Sequence, residues 1–337
     1  MLDNLRSRFE RTAADRPVLV AFMVVVMAAL VIVPISMPFY VDKSLNFWEN
    51  IVAEAHGVLF DLIIIGWFLF WLNKVAERRI RNNRYEEEIE DFLGWNSAEA
   101  TLRIVGNIRR LNRSEIVKGF HLAEAHLEDA KLGGVRMEES DLWGAHLDGA
   151  NLRESTLDGS NLAGASLVAA DLARASLVRC DLRGANLNEA DLERGTLDSA
   201  DLRGASLVGA DLQYAKLYST DLRRARLSGA NLRAARLDHA NLEGATLNGA
   251  HLRGASLRGA CLIDVDMTGA DLLSVSFVGA DLPTDQEDLI GMFERAKSLF
   301  GAEFDTGVYQ TLKEAIPDKF ELRASTNGVA VDVDVSR

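Results

Sequence analysis

The sequence predicts two parts of different fold class: a pair of apolar helices near the amino terminus, and a stacked repeat array that follows them. Two observations predict this division. The 337-residue chain repeats itself every five residues from Phe120 to Asp281, and residues 17–41 contain no charged side chain. The formal net charge of −13 therefore averages over two regions of contrasting composition.

The repeat places one bulky apolar and one small residue in every five. Positions ending in 2 and 7 carry Leu almost throughout, with exceptions such as Met137 and Phe277, and positions ending in 0 and 5 are mostly Ala. This period matches neither a helix nor a strand. A five-residue unit is too short to bury its own Leu, so the units are predicted to stack on one another.

Many of the units share the motif A(D/N)LXX, as in Ala150-Asn151-Leu152 and Ala170-Asp171-Leu172. Here the chain resembles the pentapeptide repeat family, and the resemblance covers residues 119–283. It implies a mainly β fold, a right-handed quadrilateral β-solenoid with four units in each coil. The 33 units from Leu122 to Leu282 then make about eight coils.

A second period of ten residues is superimposed on the first. Positions ending in 1 favour Asp or Asn, and positions ending in 6 favour hydroxyl or basic side chains. With four faces per coil, this makes opposite faces alike and adjacent faces different. We interpret the Asp and Asn side chains as hydrogen-bond acceptors for turn backbone rather than as catalytic groups.

Helices are predicted at both ends of the array, where open edges need covering. Thr284-Asp285-Gln286-Glu287 is typical of a capping box that begins a helix, and a second short helix is expected at 308–315, within a capping region of 284–325. Asn96-Ser97-Ala98-Glu99 begins another helix in a helical connector spanning 74–118. Residues 326–337 are expected to be a disordered tail.

The amino-terminal part is predicted to be a transmembrane hairpin over 17–73, with spans at 17–41 and 52–72. Basic residues precede the first span, in segment 1–16, and follow the second. The positive-inside bias then places both termini and the solenoid in the cytoplasm. These features predict a multi-pass protein of a bacterial inner (plasma) membrane, with the lipid bilayer as a partner. The alternative is a buried helical pair.

Two carboxylates lie in the second predicted span. Glu54 and Asp61 are seven residues apart, two helical turns, and would share one stripe of the helix. One hypothesis is a proton- or ion-handling pair in an oligomer of this chain. The alternatives, which we favour, place Asp61 near the outer interface or make it a neutral group that hydrogen-bonds a neighbouring helix.

No catalytic or cofactor-binding pattern is found in the sequence. Cys180 and Cys261 lie far apart in the array. We therefore predict that the protein is not an enzyme and uses no cofactor. His126 and His146 are 20 residues apart and are expected to stack one coil apart, at a spacing of ~4.8 Å. This spacing would also allow both side chains to bind one metal ion. We interpret them as surface imidazoles and predict no metal site.

Basic residues concentrate on the distal coils and predict a docking patch for an acidic partner. The alternative is that Asp and Arg columns neutralise each other. The patch comprises six arginines: Arg183, Arg203, Arg223, Arg233, Arg236 and Arg253.

Three functions compete. The first is a non-enzymatic membrane-anchored scaffold that presents the solenoid to an unidentified cytoplasmic protein. The second is an oligomeric transport or channel component that uses Asp61 and Glu54. The third, taken from soluble members of the family, is a DNA mimic that binds topoisomerase. Nucleic acid is not predicted as a partner.

Overall fold

The computed structural model describes residues 46–321. Helix α1 spans Asn46–Phe92, α2 spans Ala98–Arg113, α3 spans Gln286–Glu294 and α4 spans Thr306–Ala315, followed by a 3-10 turn at Pro317–Phe320. The repeat array lies between α2 and α3. The chain divides into two compact units after Arg84, and each is described by itself.

The array is a solenoid with four five-residue units in each coil, as predicted. Parallel bridges join each residue ending in 1 or 6 to the residue 20 positions later, for example Asp181 to Asp201 and Ser206 to Arg226. These are isolated bridges, and the described part of the array contains no extended strand. The mainly β prediction therefore holds as a ladder of single-residue bridges, because each unit turns a corner after five residues.

The four sides of the coil are named here by their residues. Face A contains 181–185, face B 186–190, face C 191–195 and face D 196–200, together with the residues 20 positions before and after each of these. Bridged positions ending in 1 lie on faces A and C, and those ending in 6 lie on faces B and D. Opposite faces therefore carry the same type of polar position, as predicted from the ten-residue period.

The core of the array is a continuous stack of Leu side chains. Leu192, Leu197, Leu202 and Leu207, one from each face of a coil, are fully buried. The backbone holds this stack in register, because Leu202 N donates to the carbonyl of Asp221 at 2.7 Å. Each coil therefore depends on the coils directly before and after it, as expected of a repeat array.

Each unit turns its corner through a residue in the left-handed backbone region. The residue at positions ending in 4 or 9 has positive φ, for example Gly204 at 66° and Arg194 at 58°. The turn is closed by a hydrogen bond such as Ala205 N to Leu202 O, at 3.0 Å. Glycine adopts this conformation without steric cost, which explains its recurrence at these positions.

Helix α2 covers the amino-terminal end of the array. Its N-cap is Ser97, whose side chain accepts a hydrogen bond from Ala100 N, as the sequence predicts for this segment. Ile104, Ile108 and Leu111 are fully buried against the first coils. Asn112 fixes the contact, because its Oδ1 accepts from Arg136 N at 2.7 Å.

The carboxyl-terminal cap differs in detail from the prediction. The N-cap of α3 is Asp285 rather than Thr284, and the helix ends at Glu294, although buried apolar residues continue beyond it. The chain leaves the helix because Ser298 forms a bridge to Asp271, which extends the ladder past the last repeat. Phe293 then packs within an aromatic cluster with Phe277, Phe304 and Phe320.

The prediction of a multi-pass inner-membrane protein is wrong. Within residues 46–321, no helix combines the length and the apolar character needed to cross a bilayer. The second predicted span, 52–72, is part of α1, which runs unbroken past the predicted boundary at Asn73 into the charged segment that follows Lys74. The first predicted span, segment 1–16 and the tail at 326–337 lie outside the described residues.

Candidate protein-binding surface

Arginine and aspartate form a paired column along face A. Arg183 donates from Nη2 to Asp181 Oδ2 at 2.6 Å, and Arg203 and Arg223 make the same contact with Asp201 and Asp221. Arg183 Nε also lies 3.8 Å from Asp201 Oδ2, on the next coil. Each of these three arginines thus contacts the carboxylate on its own unit, and this column of pairs is largely neutralised.

Hydrogen bonding within these pairs changes their acidity. The hydrogen bond from Arg183 lowers the pKa of Asp181, and that from Arg203 lowers the pKa of Asp201. The pKa of the Arg183 guanidinium is correspondingly raised by its hydrogen bond with Asp181. Both partners of these two pairs therefore stay charged at neutral pH, and each pair as a whole offers little net charge to a partner.

The aspartates and asparagines of the array bind turn backbone, as the sequence predicts. Asp211 Oδ1 accepts from Gln213 N at 2.9 Å, two residues along its own turn. On faces B and D the acceptor reaches the next coil instead, since Asp158 Oδ1 accepts from Ser176 Oγ at 2.6 Å. These side chains therefore either close their own turn or join neighbouring coils.

A second group of cations lies on the edge shared by faces C and D. We call this group the basic corner, and it consists of Lys216, Arg233, Arg236, Arg253 and Arg258. All five side chains are exposed. Within the described chain, no carboxylate oxygen lies within 4.0 Å of the charged groups of Arg233 or Arg253, and Arg236 Nε reaches Asp238 Oδ2 only at 3.6 Å.

Two exposed tyrosines border the basic corner. Tyr214 and Tyr218 are 48% and 49% exposed. The Arg194 guanidinium lies 5.4 Å from the ring centroid of Tyr214, and the ring of Tyr218 meets His239 edge-on. An aromatic ring among cations is a common composition for the centre of a protein interface.

The structure thus divides the six predicted arginines into two sets. Arg183, Arg203 and Arg223 lie together on face A in ion pairs. Arg233 and Arg253 stack on face C, with Arg236 on the adjacent face D. The predicted patch of six arginines did not include Lys216, Arg258 or the two tyrosines, although their positions in the 20-residue period place them on the same edge.

The remaining predicted residues are placed as follows. Glu54 and Asp61 lie in α1, but the structure does not describe the positions of their side chains. His126 and His146 stack one coil apart, as predicted, with ring centroids 4.7 Å apart. Burial raises the pKa of the Cys180 thiol to about 12, so this cysteine is a packed side chain without nucleophilic character.

Comparison with known proteins identifies the repeat. A family profile described as Pentapeptide repeats (8 copies) matches residues 121–159, 165–204, 185–224, 225–262, 235–272 and 250–283. The comparison with curated proteins found no match.

Two solved structures illustrate the likeness. A trypsin-treated variant of QnrB1, a plasmid-mediated fluoroquinolone resistance protein, is 20% identical, with a TM-score of 0.50 over 59% of this chain and 94% of that one. HetL, a pentapeptide repeat protein involved in heterocyst differentiation regulation from the cyanobacterium Nostoc sp. strain PCC 7120, is 33% identical over 59% of this chain and 93% of that one, with a TM-score of 0.29.

The QnrB1 likeness supports the fold, and the profile and the identity to HetL support the family. Together with the four-unit coil and its buried Leu stack, these matches show that the chain belongs to the pentapeptide repeat proteins.

Proposed function

We propose that this protein is a non-enzymatic scaffold whose solenoid binds an acidic surface of another protein at the basic corner. The observation that carries the proposal is the pair of stacked arginines on face C, Arg233 and Arg253. Both are exposed and neither contacts a carboxylate of the described chain, whereas the face A arginines at comparable positions are all paired.

The ladder supplies a rigid support for such a surface. Backbone hydrogen bonds of 2.7–3.0 Å join successive coils beneath the corner, for example Lys216 N to Gly195 O and Leu217 N to Arg236 O. A rigid surface loses little conformational entropy on binding, so it can bind well without a deep pocket. Tyr214 and Tyr218 add apolar contact area beside the cations.

Electrostatic complementarity selects the partner. The chain carries a net charge of −13, so an anionic partner is repelled by most of its surface and attracted at the basic corner. This arrangement favours a defined orientation on a protein with a local acidic patch. A long polyanion such as DNA would meet the acidic coils at either side of the corner.

The first experiment measures binding of a fluorescent oligoglutamate peptide to the full chain by anisotropy. Arg233→Glu with Arg253→Glu should weaken binding by about tenfold or more, because like charges across an interface cost several kcal/mol. The matched control is Arg224→Glu with Arg226→Glu, two exposed cations at the same level of the array on faces A and B. The control variant should bind nearly as well as the wild type.

The second experiment crosslinks the chain in cells and compares the captured proteins among wild type and the two double variants. Loss of a specific protein from the Arg233/Arg253 variant alone supports the proposal. An unaltered set of captured proteins, or duplex DNA binding as tightly as the acidic peptide, contradicts it.

The two alternatives have less support. A transport role needs a membrane-spanning arrangement around Glu54 and Asp61, and the described residues provide no such span. DNA mimicry needs a continuous acidic surface along the rod. The basic corner interrupts that surface over successive coils.

A further inference from the structure

Two histidines and a glutamate meet on face B at the amino-terminal end of the array. His126 and His146 lie on neighbouring coils with ring planes 7° from parallel. Glu128 Oε1 lies 3.2 Å from His126 Nδ1. One nitrogen or oxygen atom from each of the three side chains lies within 4.8 Å of the other two.

This group departs from the polar pattern of face B elsewhere. One coil later, Asp148 accepts hydrogen bonds from Ser166 Oγ and from Val168 N. Asn188 accepts in the same way from Ser206 and Val208 further along. Glu128 and His146 occupy the positions equivalent to Asp148 and Ser166. An imidazole thus replaces the hydroxyl that elsewhere completes the pattern.

The backbone beneath the group is held from two sides. The carbonyl of His126 accepts from Thr101 Oγ1 of α2 at 3.2 Å, and the carbonyl of His146 accepts from Leu127 N at 2.7 Å. The side chains above it are open: His126 and Glu128 are half-buried and His146 is exposed. The backbone beneath His126 and His146 is therefore held in place, while solvent can reach the three side chains.

The residue types suit a borderline transition metal ion. Zn²⁺ binds imidazole nitrogen and carboxylate oxygen at about 2.0–2.2 Å, which puts ligand atoms roughly 3.3 Å apart in a tetrahedral site. Binding therefore requires the exposed His146 side chain to rotate so that its nitrogen approaches the other two ligand atoms from the present separation of up to 4.8 Å. The rings must tilt from parallel on binding, because a metal lies in the plane of each imidazole that it binds.

We propose that His126, Glu128 and His146 bind a divalent transition metal ion of the Zn²⁺ class and clamp the first two coils together. Carboxylates outnumber bases in this part of the array: residues 120–160 contain nine carboxylates against Lys131, Arg136 and Arg153. The surrounding charge therefore attracts a cation. Three protein ligands leave a fourth position for water or for a group from a partner.

The test is calorimetric titration of Zn²⁺ into the chelator-treated full chain. We expect one ion per chain, with binding weakened at least about tenfold in His146→Ser, since even removal of an indirect partner of a metal ligand costs 10–100-fold. Serine occupies the equivalent position on the next coil, so this variant keeps the fold. Glu128→Gln keeps the side-chain size and should also weaken binding.

The matched control is His251→Ala, an exposed histidine on face C outside the group. It should bind Zn²⁺ as the wild type does, and excess Mg²⁺ should not compete, because Mg²⁺ prefers oxygen ligands. Zn²⁺ should raise the Tm of the wild type and of His251→Ala but not of His146→Ser. Absence of stoichiometric binding, or equal binding by wild type and His146→Ser, overturns the proposal.

Discussion

At the scale of single residues, this protein separates inward positions, which pack in the core, from outward positions, which carry the polar side chains. Leu202 is fully buried, and the small residue that precedes it, Ala200, is almost so. Between them, Asp201 donates its backbone N–H to the Cys180 carbonyl and uses its side chain on the surface. The five-residue period records this division directly, so the sequence identified the core residues of the array.

The left-handed corner residue gives a prediction at this scale. Ala169 is exposed and has φ of 54°, a conformation that costs an L-residue about 1–2 kcal/mol. Ala169→Gly removes this strain against a smaller loss from the greater freedom of the unfolded chain, so we expect a net stabilisation of about 0.5–1 kcal/mol. Denaturant midpoints measured by circular dichroism would show the change.

The neighbouring alanine is the control. Ala170 is fully buried and follows the corner, so Ala170→Gly should destabilise the array by about 1 kcal/mol through the lost methyl group and added chain freedom. Equal effects of the two substitutions would show that the corner strain has no energetic weight.

At the scale of elements, the helices close the ends of a ladder whose backbone groups would otherwise be open. The sequence located α2 well, because Ser97 is a strong capping residue and an apolar stripe follows it. It did not show where α3 ends. Apolar residues with helical spacing continue as far as Leu299, but the ladder contact between Ser298 and Asp271 competes with the helix and ends it at Glu294.

The aromatic cluster predicts how the carboxyl-terminal cap fails. Phe293 is fully buried, with its ring centroid 5.4 Å from Phe277 and 5.2 Å from Phe304. Phe293→Ala should cost about 3–5 kcal/mol, and the loss should concentrate in the cap, since each coil contacts mainly its neighbours. Hydrogen exchange should then accelerate in α3 and α4 while the Leu stack near Leu202 stays protected.

Exposure of the last coil has a second consequence. Unpaired backbone groups at the end of a ladder can pair with another chain, so the same variant should self-associate at high concentration. The control is Leu102→Ala, which removes a side chain that is 70% exposed on α2 and should change neither readout. Uniformly faster exchange along the whole array would contradict a localised cap.

At the scale of the whole molecule, stability is a sum over coils and their interfaces, so register matters more than length. Deletion of residues 161–180 removes one complete coil and leaves every polar column continuous. Deletion of residues 161–165 removes one unit and shifts every later unit by one face. The hydroxyl and basic side chains at positions ending in 6 then stack on the Asp and Asn side chains at positions ending in 1.

We expect the 20-residue deletion to fold with a slightly lower denaturant slope, in proportion to the surface lost. The five-residue deletion should be less stable by about 1–3 kcal/mol, because contacts such as Asn161 Nδ2 to Asp141 Oδ1 are lost on all faces at the junction. Chemical denaturation of both variants is the measurement. A five-residue deletion as stable as the 20-residue one would show that the polar columns contribute nothing to register.

The sequence by itself determined the coil. A strict period of five with buried Leu leaves each unit only its neighbours in the stack, so local periodicity fixes the core, the faces and the column to which each residue belongs. Only the tertiary structure decided which charges pair, where α3 ends, that α1 continues past Asn73, and that Glu128 joins two stacked histidines. These features depend on side-chain reach between adjacent coils and on competition between helix and ladder, which a one-dimensional pattern does not contain.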